Sequence, residues 1–419
     1  MMRYAIIGAG MAGLSAGNIL KEQGHEIKIF EQKSVPGGLI SCDRVDGNLY
    51  HKVGGHVFNS KHKDVLEWFF GKFDKTQEFL EAKREAKILF NDKYIGYPIE
   101  NYLYQLPHNL LDRIIDDIIK LIQEEQENNI KSENFGQFLK KKFGSTLFDI
   151  YFEPYNKKIW QCNLNNVAVE WLEGKLPMPN YKEMLIKSIR REEEENMVHS
   201  KFFYPKNDGS QFIADRLAQN MNIEYNKKII RLDYENGKWH VNNSSEKFDF
   251  IIYTGDIRAL KKKLPNWFYN KFTEFNLLEN LQSHGTSNAL CEINKPNNFS
   301  WIYLPDENVK PHRIINTGNF STTNNSEKNK RTCIVEFSGK LSSDEMRSEI
   351  KKLPGELKPI AFHHEENTYV IQDKNTRKNV KELKEKLKIH GFYLHGRFAE
   401  WEYYNMDTII KASLDNFSL

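Results

Sequence analysis

The chain opens on a short apolar run, Tyr4-Ala5-Ile6-Ile7, cut off by glycine, and this pattern predicts a buried strand. Leu14 to Gln23 has helical spacing, and Ile27 to Phe30 predicts a second strand that ends at Glu31. Lys87 to Phe90 and Tyr94 to Tyr97 read as two strands about an Asn91-Asp92 turn. From Asn109 to Glu127 the period changes. Leu110, Leu111, Ile114, Ile115, Ile118, Ile119 and Ile122 recur every three or four residues, which predicts a helix with a core-facing stripe. Helical patterning continues over Phe135 to Trp160 and Val169 to Arg191, and the charged run Arg190 to Glu195 reads as solvated surface. Lys228 to Asp233 and Lys238 to Val241 form a predicted hairpin around Glu235-Asn236-Gly237, and Phe250 to Gly255 predicts a strand that re-enters the first sheet. Residues 285–375 read as a second sheet with loops, including the polar stretch Ser321 to Arg331; a helix over Val380 to Leu387 and a strand over Gly391 to Leu394 follow.

Between the first strand and the first helix stands Gly8-Ala9-Gly10-Met11-Ala12-Gly13. In the order strand, glycine turn, helix, strand, acidic residue, this is a dinucleotide fingerprint. Gly8 permits the tight turn, Gly10 lets the backbone approach a pyrophosphate, and Gly13 lets helix and sheet pack closely. The helix N-terminus offers free N–H groups to phosphate, and Glu31 can accept from a ribose hydroxyl. Gly37-Gly38 follow a few residues after Glu31, Val53-Gly54-Gly55-His56 make a third small-residue loop, and Leu394-His395-Gly396-Arg397 stand near the C-terminus. The first and last of these resemble FAD proteins of the amine-oxidase and glutathione-reductase type, in which both ends of the chain build one flavin site.

Composition narrows the class further. The chain has 419 residues, enough for two or three domains, with 60 basic and 57 acidic residues and a net charge of +3. That balance makes no electrostatic case for nucleic acid or a membrane surface. No apolar run approaches a membrane span and the first strand begins at once, so a cytoplasmic protein without leader is expected. Cys42, Cys162, Cys291 and Cys333 lack metal-ligand spacing and read as reduced thiols; no metal is expected.

Separated motifs then resemble flavin-dependent UDP-galactopyranose mutases, closer to the eukaryotic type. Gly54-Gly55-His56 matches the family loop whose histidine carbonyl meets the reduced flavin. Tyr97-Pro98-Ile99-Glu100-Asn101 resembles the uracil-holding segment, with Ile99 in place of an aromatic and Glu100 in place of an amide. Pro154-Tyr155-Asn156-Lys157-Lys158-Ile159-Trp160 matches the helical motif Pro-Tyr-Asn-x-Lys-x-Trp, whose Asn156 and Trp160 positions line the sugar site. Lys175 stands where the family has an arginine near the diphosphate; Tyr303 and Arg313 match a phosphate tyrosine and a diphosphate clamp ten residues apart. Tyr369 matches another phosphate tyrosine. In Gly396-Arg397-Phe398-Ala399-Glu400-Trp401-Glu402-Tyr403, Arg397 would lie near flavin and sugar and Tyr403 near the diphosphate, with Asn405 following.

The resemblance implies an α/β fold: a discontinuous Rossmann-like FAD domain over 1–60, 200–260 and 380–419, a β-sheet substrate lobe over 61–100 and 261–379, and a helical domain over 101–199. It implies a pyranose-to-furanose isomerase of polysaccharide biosynthesis acting on a nucleotide-diphosphate sugar. Reduced FAD would be the active form, with N5 as nucleophile at the anomeric carbon and NAD(P)H as reductant. His56, Arg313 and Arg397 would be catalytic. Homo-oligomerisation stays open. A carboxylate at Glu100 suits the paired N–H donors of guanine, so a GDP-hexose or GDP-heptose mutase is an alternative. An amine-oxidase-like FAD oxidoreductase is a second alternative, and a non-catalytic dinucleotide sensor a third.

Overall fold

The strand Arg3–Ile7 becomes the centre of a five-stranded parallel sheet in the computed structural model, which describes residues 1–127, 132, 134–169, 180–192 and 200–418. Glu26–Phe30 and Ile223–Glu224 lie on one side of it, Phe250–Tyr253 and Phe392–Leu394 on the other. Ala5, Ile6, Ile29, Ile251 and Ile252 are fully buried, as expected for parallel strands covered on both faces. One cover is the helix Met11–Glu22. The C-terminal helix Met406–Phe417 packs beside it, joined through a buried Ser15–Ser413 hydroxyl contact of 2.7 Å.

The second sheet has seven strands, in the order Leu357–Ile371, Gln282–Ile293, Thr332–Ser338, Arg313–Ile315, Trp301–Tyr303, Ala86–Phe90 and Lys93–Gly96. The last two form the expected hairpin, and Asn91 and Asp92 both take positive φ (47° and 60°) as a tight hairpin turn requires. Helices His108–Glu127, Phe135–Phe143, Glu153–Trp160 and Tyr181–Arg190 cover this sheet. Ile114, Ile118, Phe135, Leu139 and Phe143 share one core with Ile88, Ile95, Leu290 and Ile334.

Three expectations change in detail. The isoleucine stripe is wider than the buried face: Ile114 and Ile118 are fully buried, whereas Ile119 is exposed. The helical stretch from Phe135 to Trp160 is broken at Gly144, whose φ of +84° ends the Phe135–Phe143 helix. The first hairpin strand begins at Leu232 rather than Lys228, because residues 226 and 227 turn back to the cofactor sheet; Asn226 donates to the Lys33 carbonyl and Lys227 to that of Glu31. Residues 170–179 of the predicted helix from Val169 lie outside the described residues, as does the end of the charged run; its described helical part is Tyr181–Arg190. Among the described residues no helix is long and apolar enough to cross a membrane, and no cluster of metal-ligating side chains occurs.

Candidate cofactor and substrate site

At the carboxyl end of the Arg3–Ile7 strand the sheet order diverges to either side, which opens a crevice. Each glycine there answers a different constraint. Gly8 has φ of +110°, and a Cβ on it would lie 2.4 Å from Thr254 Oγ1. A Cβ on Gly13 would lie 2.0 Å from the Gly8 carbonyl oxygen, so only glycine lets the helix seat on the turn. A Cβ on Gly10 meets nothing nearer than the Gly38 Cα at 3.9 Å; it would project into the crevice. Gly37 donates its N–H to the Ala9 carbonyl, which lays the second glycine loop against the first. Gly396, with φ of +104°, brings the returning chain against Ala12.

The crevice is part of a continuous cavity of about 610 Å³. Glu31 lies at one end, nearly buried, accepting hydrogen bonds from the N–H groups of Ala9 (2.7 Å) and Lys33 (2.8 Å). Lys227, Lys228 and Ile229 also line the cavity. Two observations fit an extended dinucleotide: the free space before Gly10 at the helix start, and Asp407, a lining residue whose Oδ1 is buried without a hydrogen-bond partner among the described residues. Burial pushes the Asp407 carboxyl up.

At the other end stand Gly54, Gly55, His56, Arg313, Arg397, Tyr369 and Tyr403. Gly54 takes φ of +65°, and a Cβ there would press on Arg313 Nη2 at 3.2 Å and Glu336 Oε2 at 3.3 Å. The His56 ring donates from Nε2 to the Leu39 carbonyl at 3.1 Å. Burial, then the charge of Arg397, pulls its pKa down to about 4, so the imidazole is neutral near pH 7.

Arg313 is held from behind. Its Nε and Nη2 donate to Glu336 Oε2 at 2.8 and 2.7 Å, across the register pair Arg313–Glu336 of adjacent strands. Burial opposes the charge on Glu336, but the Arg313 guanidinium and His312 hold its carboxyl down at about 2. The remaining guanidinium nitrogen of Arg313 has no partner among the described residues and is free for an anion.

Aromatic rings build the rest of the wall. Tyr369 stacks on Tyr403 at 5.6 Å and on His284 at 5.2 Å, and meets Trp160 edge-on at 6.1 Å. The Arg397 guanidinium lies 4.3 Å over the Tyr403 ring and donates to the Thr368 and Tyr404 carbonyls. Asn405 lines the cavity as N-cap of the C-terminal helix. Tyr303 sits behind this wall, between Tyr97 at 4.5 Å and Tyr155 at 5.6 Å.

The fold thus brings Gly8, Gly10, Glu31, Gly38, Gly55, His56, Arg313, Tyr369, Arg397, Tyr403 and Asn405 to one cavity. Gly13 and Gly396 shape it from below. Tyr97, Glu100, Asn156, Trp160 and Tyr303 are not part of its lining. Asn156 spends its amide N–H on the Phe152 carbonyl at 2.7 Å, and Glu100 is buried in the short turn Ile99–Asn101. Lys175 lies outside the described residues. Glu336 and Arg84 also line the cavity and belong to no sequence motif. Glu336 was detectable as a charge inside the apolar run Ile334-Val335-Glu336-Phe337. Arg84, stacked on Trp301 (4.9 Å) and Tyr97 (5.2 Å) and donating to the Tyr303 hydroxyl, left no such sign.

A dTDP-fucopyranose mutase from Escherichia coli is 24% identical over 272 residues, 61% of this chain and 64% of that protein, so the match spans just under two-thirds of the relative. An L-amino-acid oxidase from Crotalus adamanteus is 28% identical over 31% of this chain and 27% of its own length. Among solved structures, reduced UDP-galactopyranose mutase superposes with a TM-score of 0.88 at 19% identity, covering 99% of this chain and 94% of that one. A putative protoporphyrinogen oxidase from Exiguobacterium sp. 255-15 reaches 0.73 at 14% identity, over 99% of each chain. These two likenesses establish a shared fold, and none of the comparisons separates a eukaryotic-type mutase from another type. The profile of the flavin containing amine oxidoreductases matches residues 11–307. The chain therefore belongs to the flavin-containing amine oxidoreductase family, whose cofactor is FAD.

Proposed function

We propose that the protein is a nucleotide-sugar pyranose-to-furanose mutase. The observation that carries this is the anion-ready guanidinium of Arg313, fixed by Glu336 and set with Arg397 and two stacked tyrosines at the far end of the cofactor cavity. The mutases among its relatives and structural neighbours support the reading.

Bound FAD in its reduced form supplies a nucleophilic nitrogen for the anomeric carbon, with NAD(P)H as the proposed reductant. The chain's own task is to hold a leaving diphosphate and keep it for return. Arg313 offers its free N–H groups from a fixed position, and a guanidinium suits paired phosphate oxygens. The Tyr369 and Tyr403 hydroxyls donate beside it. Because Glu336 anchors Arg313 before any ligand arrives, little orientation remains to be lost on binding. His56 stays neutral and adds no competing cation, while its loop packs on the Arg313–Glu336 pair.

The test is incubation of dithionite-reduced holoenzyme with UDP-, GDP- and dTDP-sugars, followed by chromatography. A furanose product from at least one is expected; none from any of them would sink the reading. An amine-oxidase-like oxidoreductase is the second reading, favoured by the family profile itself. Anaerobic, substrate-dependent bleaching of the oxidised flavin by an amine would establish that one instead.

A further inference from the structure

The seven-residue motif at the end of the Glu153–Trp160 helix contains a lysine to which the site assigns no task. Lys158 lies on the helix that carries Tyr155, Asn156 and Trp160. It points away from the cavity, toward the turn that joins Trp301–Tyr303 to Arg313–Ile315. Its ammonium donates to the Leu304 carbonyl at 2.8 Å, to that of Asp306, and to that of Pro311 at 3.4 Å. Two of these oxygens lie on the outgoing limb of the turn and one on the returning limb. The turn closes directly on the register pair Tyr303–Arg313, and Leu304 N–H bonds the His312 carbonyl at 2.9 Å.

We propose that Lys158 is a positioning residue, whose ammonium draws both limbs of the 304–312 turn onto the helix and so sets where Arg313 stands for a diphosphate, with Tyr303 packed behind it, a role that presupposes the mutase reading above. Three donors meet three carbonyls, and among the described residues no carboxylate competes at salt-bridge distance. Tyr155, one helical turn away, meets Tyr303 edge-on at 5.6 Å, so helix and hairpin are tied at both the ring and the turn. An apolar residue at 158 would leave those carbonyls without this donor.

The clamp is sensitive to pH. Burial pulls the ammonium down to about 8, against the opposing charges of Asp306, Glu307 and Glu349. Lys310 on the turn and Lys340 beyond the Thr332–Ser338 strand face the same hollow, as does Glu345, which pairs with Lys310. Lys157 on the same helix is engaged with Glu153. Above pH 8 the amine loses one donor and its charge, so the turn is expected to loosen.

The experiment uses FAD-loaded protein and two readouts. Hydrogen exchange over residues 304–312, corrected for intrinsic rates, reports the clamp whatever the substrate is. Binding of UDP reports its purpose. For Lys158→Met at pH 7 we expect exchange of the turn to rise tenfold or more and UDP to bind at least tenfold more weakly, with FAD retained. For wild type, UDP binding should weaken through a limb near pH 8, and Lys158→Arg, charged throughout, should lack that limb. Unchanged exchange of the turn in Lys158→Met, or the same limb in Lys158→Arg as in wild type, would overturn the proposal. Should the methionine variant not fold, the wild-type and arginine titrations still decide. Should UDP not bind the wild type, GDP and dTDP take its place in the binding readout, and failure of all three would refute the mutase reading and with it the purpose of the clamp, whereas loosening of the turn would still register the clamp itself.

Discussion

Arg313→Ala should abolish most turnover while FAD stays bound. Arg313 does two things at once: it neutralises a carboxylate that is almost fully buried, and it presents its free N–H groups to the cavity. Losing a charge-assisted contact to the diphosphate should cost about 2–5 kcal/mol. At 1.36 kcal/mol per tenfold, that is roughly thirty- to several-thousand-fold in kcat/KM. The same substitution strands the Glu336 charge, which commonly destabilises by about 3–5 kcal/mol, so a loss of activity alone would be ambiguous. The double variant Arg313→Ala/Glu336→Gln separates the two effects. Removing the stranded charge should restore most of the stability, but it cannot return the anion contact. Melting temperature and kcat/KM of reduced enzyme are therefore measured on both variants. The reasoning fails if Arg313→Ala keeps near-normal kcat/KM, or if the double variant regains activity together with stability.

Other predictions follow from single atoms. Gly13→Ala places a methyl 2.0 Å from the Gly8 carbonyl, and melting should show destabilisation by roughly 1–3 kcal/mol. Gly10→Ala meets only the Gly38 Cα, at an unstrained 3.9 Å, so its melting temperature without cofactor should hold while FAD affinity, read by flavin fluorescence, falls at least about tenfold, or 1.4 kcal/mol; the opposite pattern would mean the cradle is misassigned. Glu336 has its folded carboxyl pKa lowered from 4.5 to about 2, so its contribution of roughly 3 kcal/mol is present above pH 4.5 and lost as pH falls toward 2. The stability gap between wild type and Glu336→Gln should accordingly shrink between pH 5 and 3, and parallel curves would contradict the assignment. Glu100 is buried outside the cavity lining, so Glu100→Gln should leave the ratio of UDP to GDP affinity unchanged. A switch of preference in that variant would restore the carboxylate as a reader of guanine.

The residues that the chain alone makes legible are those whose role is local. Gly8, Gly10, Gly13 and Glu31 announce a dinucleotide turn because its geometry is settled within one strand–helix–strand unit, where backbone sterics act between near neighbours in sequence. The Asn91-Asp92 hairpin and the buried strand Phe250–Tyr253 are legible for the same reason. Position in the site is another matter. Arg313 and Glu336 are 23 residues apart and meet only because their strands are adjacent in the second sheet. Arg84 reaches the cavity from the short link between the strands Phe79–Lys83 and Ala86–Phe90, and residues 226 and 227 hydrogen-bond back to the cofactor end ahead of an expected strand, each by a contact that no periodicity encodes. Tyr97, Glu100, Asn156 and Trp160 carry recognisable motifs, yet tertiary packing puts them outside the cavity lining. A motif specifies side-chain chemistry; which face of the molecule that chemistry serves is decided by long-range register and by which core the backbone buries.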